Sequence, residues 1–151
     1  MIVSFFGHSN FSPKKSDKER LLEVLENQIQ GQDVEFFVGD YGNFDYFSYE
    51  VAREYQKKHS NSKVVFVTAY LNSQRHTEYA KKCDESIYPN IEKVPLRFAI
   101  IERNKWGVER SDFIVFYFVV AGGTSNTYYY ALQKGKNLYN LCSRDKREIR
   151  S

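Results

Sequence analysis

Apolar residues recur along this chain in two alternating rhythms. Residues 2–6 form a short apolar run that stops at Gly7-His8-Ser9-Asn10, the pattern of a strand running into a loop. Beyond Pro13, Leu21, Leu22, Val24, Leu25 and Ile29 return at helical spacing. Ser16, followed three positions later by Glu19, suggests a capping box, and Gly31 supplies a stop, so a first helix is predicted over about 17–30. Residues 34–38 read as a second strand ending in Gly39-Asp40-Tyr41-Gly42-Asn43-Phe44-Asp45. Phe44, Phe47, Val51, Ala52 and Tyr55 then mark one face of a second helix reaching about Lys58. A third strand follows at 64–67. Residues 74–83 suit a short polar helix, and 84–95 read as extended, punctuated by Pro89 and Pro95. A further helix is predicted over 96–108, with Phe98, Ile101, Lys105 and Val108 on roughly one side. Residues 112–121 read as a fourth strand, apolar on both faces over 113–120, as a central parallel strand should be. A last helix over 124–134 stops at Gly135, and 137–141 form a short fifth strand.

Strand and helix alternate, which predicts an α/β fold: a doubly wound, mostly parallel, five-stranded Rossmann-like sheet with helices on both faces. Ligands of such folds lie outside the carboxyl ends of the strands. The loops expected there are 7–10, 39–45, 69–71 and 121–127, and three of the four contain glycine. An apolar fraction of 42% supports a single core, so 1–143 are read as one domain. Residues 144–151 are read as a basic, solvated tail, the alternative being a nucleic-acid arm. The net charge of +3 is too small to argue for a polyanionic partner, and nucleic acid is expected to be an unlikely one. No apolar run approaches the length of about 18 residues that a membrane span needs, so no membrane partner is expected. The first apolar residues lack a basic leader and read as a strand, not a signal peptide; a cytoplasmic location is expected. Cys83 and Cys142, far apart and without ligand spacing, read as free thiols, with a disulfide as the alternative. No metal or cofactor is expected.

The strand-to-helix turn at Gly122-Gly123, with the hydroxyls of Thr124, Ser125 and Thr127, has the make-up of a phosphate cradle at a helix N-terminus. The bland alternative is a tight turn with a Ser or Thr cap. It is neither a Walker A loop nor a dinucleotide fingerprint. Gly7, His8, Ser9 and Asn10 form a second candidate contact, the alternative being an ordinary loop with a hydrogen-bonded histidine. In the loop with Gly42 and Asn43, Asp45 either caps the second helix or accepts from a ribose hydroxyl, and Phe44 is either core or a base-stacking ring. Arg103, with Asn104 beside it, offers a bidentate phosphate clamp, or else a salt bridge with Glu102 or Glu109. Trp106 is either buried or stacked on a base. Tyr128, Tyr129 and Tyr130, being consecutive, must face different sides of their helix.

Glu102-Arg103-Asn104-Lys105-Trp106, Ser111-Asp112-Phe113-Ile114 and Ala121-Gly122-Gly123-Thr124, in this order, resemble the Lonely-Guy part of the SLOG superfamily of Lonely-Guy and DprA-like Rossmannoid proteins. Phe5-Phe6-Gly7-His8 and the 39–45 loop resemble the small single-domain SLOG proteins of bacteria and their viruses. The resemblance spans nearly the whole chain. It implies a Rossmann-like fold, a nucleotide or nucleotide-sugar ligand, and a homodimer or higher homo-oligomer. Lonely-Guy enzymes cleave the N-glycosidic bond of nucleoside monophosphates with an Arg and a Glu. Arg103 matches the Arg, but the Glu position falls on Tyr129, and Ser125-Asn126 replace the second Gly-Thr pair. The resemblance therefore implies a binder of NAD-derived or ADP-ribose-type ligands, possibly cyclic, held by the Gly122-Gly123-Thr124 loop. Such a protein would act as sensor or sequestering sponge in conflict between bacterium and virus. The alternative is an N-glycosidase in which Glu50, Asp45 or Asp40 supplies the missing carboxylate.

Overall fold

The computed structural model describes residues 1–71, 74–119, 123–142 and 149–150. Strands β1 (Ile2–Gly7), β2 (Val34–Val38) and β3 (Ser62–Val67) alternate with helices α1 (Lys15–Ile29) and α2 (Asn43–Gln56). Helix α3 (Gln74–Lys82) and strand β4 (Glu85–Ile87) follow. A 3-10 turn (Leu96–Phe98) leads into α4 (Ala99–Arg110), and then come β5 (Phe113–Tyr117), α5 (Gly123–Gln133), β6 (Asn137–Asn140) and β7 (Ile149–Arg150). The sheet order is β4-β3-β2-β1-β5-β6-β7. Every pairing is parallel except the last, between β6 and β7.

The expected doubly wound α/β architecture is present, but the parallel sheet has six strands, not five. The additional parallel strand is β4, inside the segment read only as extended. Asp84 brings it to the sheet. Its carboxylate accepts the Val64 N–H at 2.8 Å and the Gln56 side-chain amide at 2.9 Å, and it pairs with Arg53. Its own N–H donates to the Val64 carbonyl, which sets the register that runs on as Val65 to Glu85. The central strand is shorter than its apolar run. After Tyr117 the Asn140 side chain takes both backbone groups of Phe118, accepting its N–H and donating to its carbonyl, so the ladder ends there. Helix α1 starts at Lys15, and the acid at its start is Asp17, whose carboxylate accepts the Lys14 N–H, in place of the Ser16–Glu19 pair.

Alternation along β1 divides the core in two. Val3 and Phe5 face α1 and α2, where Leu21, Leu25, Phe44, Phe47 and Val51 are buried. On the opposite face Val108 of α4 and Tyr128 and Ala131 of α5 cover Ile114, Phe116 and Leu138. Trp106 stacks there on Phe37, ring centroids 5.7 Å apart. The tyrosine trio is split by the helix as its spacing requires: Tyr128 is buried, Tyr129 is exposed, and the Tyr130 hydroxyl donates to Glu109. Both cysteines are free thiols. Among the described residues no helix is long and apolar enough to cross a membrane.

One close approach holds the start of α2 against the end of β1. A Cβ at Gly7 would lie 2.4 Å from the Phe44 ring. Gly7→Ala is expected to lower unfolding free energy by about 1–3 kcal/mol, the usual range for overpacking. Urea denaturation checks this; an unchanged midpoint would show that the contact is not tight.

Candidate functional site

β1 lies between β2 and β5, and the helices after β1 and β5 leave to opposite faces of the sheet. Their carboxyl ends therefore diverge and leave a crevice at the switch point. A cleft of about 400 Å³ occupies it. One side is the loop after β1, with Gly7, His8, Ser9 and Asn10, joined by Tyr41 and Asp45 from the start of α2. The other side is α4, through Ile100, Ile101, Arg103 and Asn104, together with Thr127 of α5.

Of the residues singled out in the sequence, Gly7, His8, Ser9, Asn10, Asp45, Arg103 and Asn104 meet around this cleft. Gly42 and Asn43 support it from behind. The Asn43 N–H donates to the Ser9 carbonyl at 2.9 Å, and Gly42 adopts φ +123° with a would-be Cβ 2.5 Å from the Ser9 Cα. No L side chain adopts that conformation readily. Phe44 is core, buried against Phe11 and Phe47. Glu50 is an exposed residue of α2 and does not line the cleft. Gly123 opens α5, and Thr124 and Ser125 follow in its first turn. Gly122 lies outside the described residues, as do the Thr124 and Ser125 side chains. Tyr129, at the position of the Lonely-Guy glutamate, is exposed and does not line the cleft.

Arg103 is the buried charge of the site, 7% exposed. Its Nε and Nη2 donate to the Asn104 Oδ1 at 3.3 and 3.0 Å, and the Asn104 amide donates to the Thr127 hydroxyl, so one polar chain ties α4 to α5. Nη1 lies 3.9 Å from the Asp40 carboxylate and has no hydrogen-bond partner among the described residues. Asp45 faces the same charge. Burial pushes its carboxyl above its ordinary value, while the Arg103 charge and the Tyr41 N–H, donated at 2.7 Å, pull it back. Gly39 makes this arrangement possible, since a Cβ there would lie 2.9 Å from both Arg103 Nη1 and Asp45 Oδ2. His8 holds the other rim. Its Nε2 accepts the Val119 N–H at 3.1 Å, which places the ring proton on Nδ1 and links the end of β1 to the segment after β5.

Tyr41, Ile100 and Ile101 also line the cleft, although sequence reasoning does not assign them there. Tyr41 sits inside a loop already marked by glycines. Ile100 and Ile101 carry no signal beyond helical spacing.

No protein-family profile matches the chain, and no curated protein matches it. Solved structures do. DNA processing protein A (DprA) from Streptococcus pneumoniae superposes with a TM-score of 0.65 at 14% identity, covering 90% of this chain and 48% of that one. Helicobacter pylori DNA processing protein A, described in its single-stranded-DNA binding mode, gives 0.60 at 13% identity, over 91% and 63%. The molybdenum cofactor carrier protein of Chlamydomonas reinhardtii gives 0.56 at 14% identity, over 91% and 73%. The chain thus spans about half the length of the S. pneumoniae protein. These likenesses show the fold alone: the Rossmann-like α/β fold that the sequence predicts is shared with DNA processing protein A and the molybdenum cofactor carrier protein. They also correct one expectation. The weak net charge set nucleic acid aside, yet a fold neighbour binds single-stranded DNA. A whole-chain charge sum does not report the local field of a cleft.

The raised Asp45 sets a pH dependence. A carboxyl that holds its proton more tightly when folded than when unfolded stabilises the fold below the ordinary value of 3.8, and that stability is lost as pH rises through the folded value. Asp45→Asn retains an acceptor for the Tyr41 N–H and removes the titration. Unfolding free energies measured from pH 3.5 upward should therefore fall less steeply in Asp45→Asn than in the parent; parallel profiles would refute the assignment.

Proposed function

We propose that this protein binds a small phosphorylated nucleotide derivative, of the NAD-derived or ADP-ribose type, in the cleft at the β1/β5 switch point. It acts there as a sensor or sequestering protein. The observation that carries this reading is Arg103: a guanidinium buried at a ligand-sized crevice, with Nη1 lacking a hydrogen-bond partner among the described residues and lying 3.9 Å from the Asp40 carboxylate. A buried cation of this kind is costly unless an anion shares it. α5 opens at Gly123, following β5 in the chain, and a helix N-terminus at that end of the sheet adds to the attraction for phosphate. A small-molecule carrier among the fold neighbours, the molybdenum cofactor carrier, is consistent with such a role.

A second reading, cleavage of an N-glycosidic bond, is favoured by Asp45 alone. It is a carboxyl in the cleft whose raised proton affinity suits an acid catalyst. Tyr129 cannot take that part, being a phenol outside the cleft.

Isothermal titration with AMP, NAD, ADP-ribose, cyclic ADP-ribose and a single-stranded oligonucleotide tests the first reading. At least one nucleotide derivative should bind, and Arg103→Met should weaken it about 10- to 100-fold, the worth of a charge-assisted hydrogen bond. Thermal melting of the variant separates a lost contact from a lost fold. Heat from the oligonucleotide alone, or an unaltered affinity in a folded Arg103→Met, would overturn it. Chromatographic release of free base, abolished in Asp45→Asn, would favour the second reading.

A further inference from the structure

The residues lining the cleft differ widely in exposure. Arg103 at its floor is 7% exposed, whereas Ile101 and Tyr41 are 39% and 52% exposed. Many aromatic rings among the described residues pack on one another. Phe11 meets Phe44, Phe47 and Tyr117, and Tyr128 sits between Phe116 and Phe118. Among the described residues Tyr41 has neither a ring neighbour nor a cation on its face, and half of it is in water. Its backbone, by contrast, is fixed. Its N–H is held by the half-buried Asp45 carboxyl, and Gly42 next to it is wedged against Ser9. An idle ring on a rigid loop is a stacking surface that loses little freedom when it is used. The first turn of α4 brings Ile100 and Ile101 to the same cleft as aliphatic cover.

We propose that the mouth of this cleft is a nucleobase subsite, in which a flat heteroaromatic ring lies on Tyr41 with Ile101 beside it. The ligand enters phosphate first, its anionic end towards Arg103. This assignment rests on the reading of the cleft as a nucleotide-derivative site and names which part of the ligand each end takes. It also accounts for the exposure of two large apolar side chains at one opening.

The test compares ligands that differ only by the base. AMP, GMP, CMP and UMP are titrated against ribose 5-phosphate into the parent, Tyr41→Phe and Tyr41→Ala. In the parent, at least one nucleoside monophosphate should bind about 10-fold or more tightly than ribose 5-phosphate, in line with the worth of one base–aromatic stack. Tyr41→Ala should remove most of that advantage and leave ribose 5-phosphate binding unchanged, while Tyr41→Phe should keep it. Tyr41 is half exposed, so both variants should melt with the parent. Equal affinity for ribose 5-phosphate and all four nucleotides would sink the subsite and leave the phosphate site standing. An equal loss for every ligand in Tyr41→Ala would also overturn it, since the residue would then be acting on the whole cleft. Absence of binding by any of the five would overturn the subsite and the site together.

Discussion

The cleft depends on how closely the start of α2 is pressed onto the end of β1. Gly7 has no side chain, and the ring of Phe44 takes the room that one would need. That contact draws the two loops into register, with the Asn43 N–H on the Ser9 carbonyl and Gly42 against the Ser9 backbone. It also orients the first turn of α2. Successive residues of a helix turn by about 100°. With Phe44 committed to the core, Asp45 comes round to the cleft, where its carboxyl holds the Tyr41 loop. One glycine thus sets the backbone of one wall, the half-buried acid and the rim tyrosine.

The second wall is organised by charge. Arg103 on α4 spends two nitrogens on Asn104, and Asn104 reaches Thr127 on α5, so the two helices of that face are bridged at the ligand end of the sheet. The third nitrogen is held close to Asp40 without a hydrogen bond, and Asp45 is driven by burial towards its neutral form. Polar groups left partly unsatisfied inside a fold reduce its stability. They are tolerated where they create a field that a bound group can use.

The strong elements are legible in the sequence because each buries one face. The helical spacing of Leu21, Leu25 and Ile29, the run from Val34 to Val38 and the apolar centre at Phe113 each have a single good arrangement against a sheet. β4 is not legible, since Glu85-Ser86-Ile87 carries one apolar residue and joins the sheet through the hydrogen bonds of Asp84. The end of β5 is hidden for a similar reason: a side chain, Asn140, replaces the ladder where composition would have continued it. At the site, glycines and the arginine announce themselves by type. Tyr41 and Ile101 matter through exposure at an opening, and spacing along a helix cannot distinguish that from burial.

The chain contains one tryptophan, and its position gives the protein an optical property. Trp106 lies on α4 one turn beyond Arg103, stacked on Phe37 of β2, with the Arg110 guanidinium 4.2 Å from its ring. Its emission therefore reports on the seating of a single helix against the sheet, with no second indole to dilute the signal. That helix is the wall carrying Arg103, Asn104, Ile100 and Ile101. Whatever shifts the wall also shifts the indole between an aromatic ring and a cation, so the molecule carries its own unlabelled fluorophore for the position of that wall.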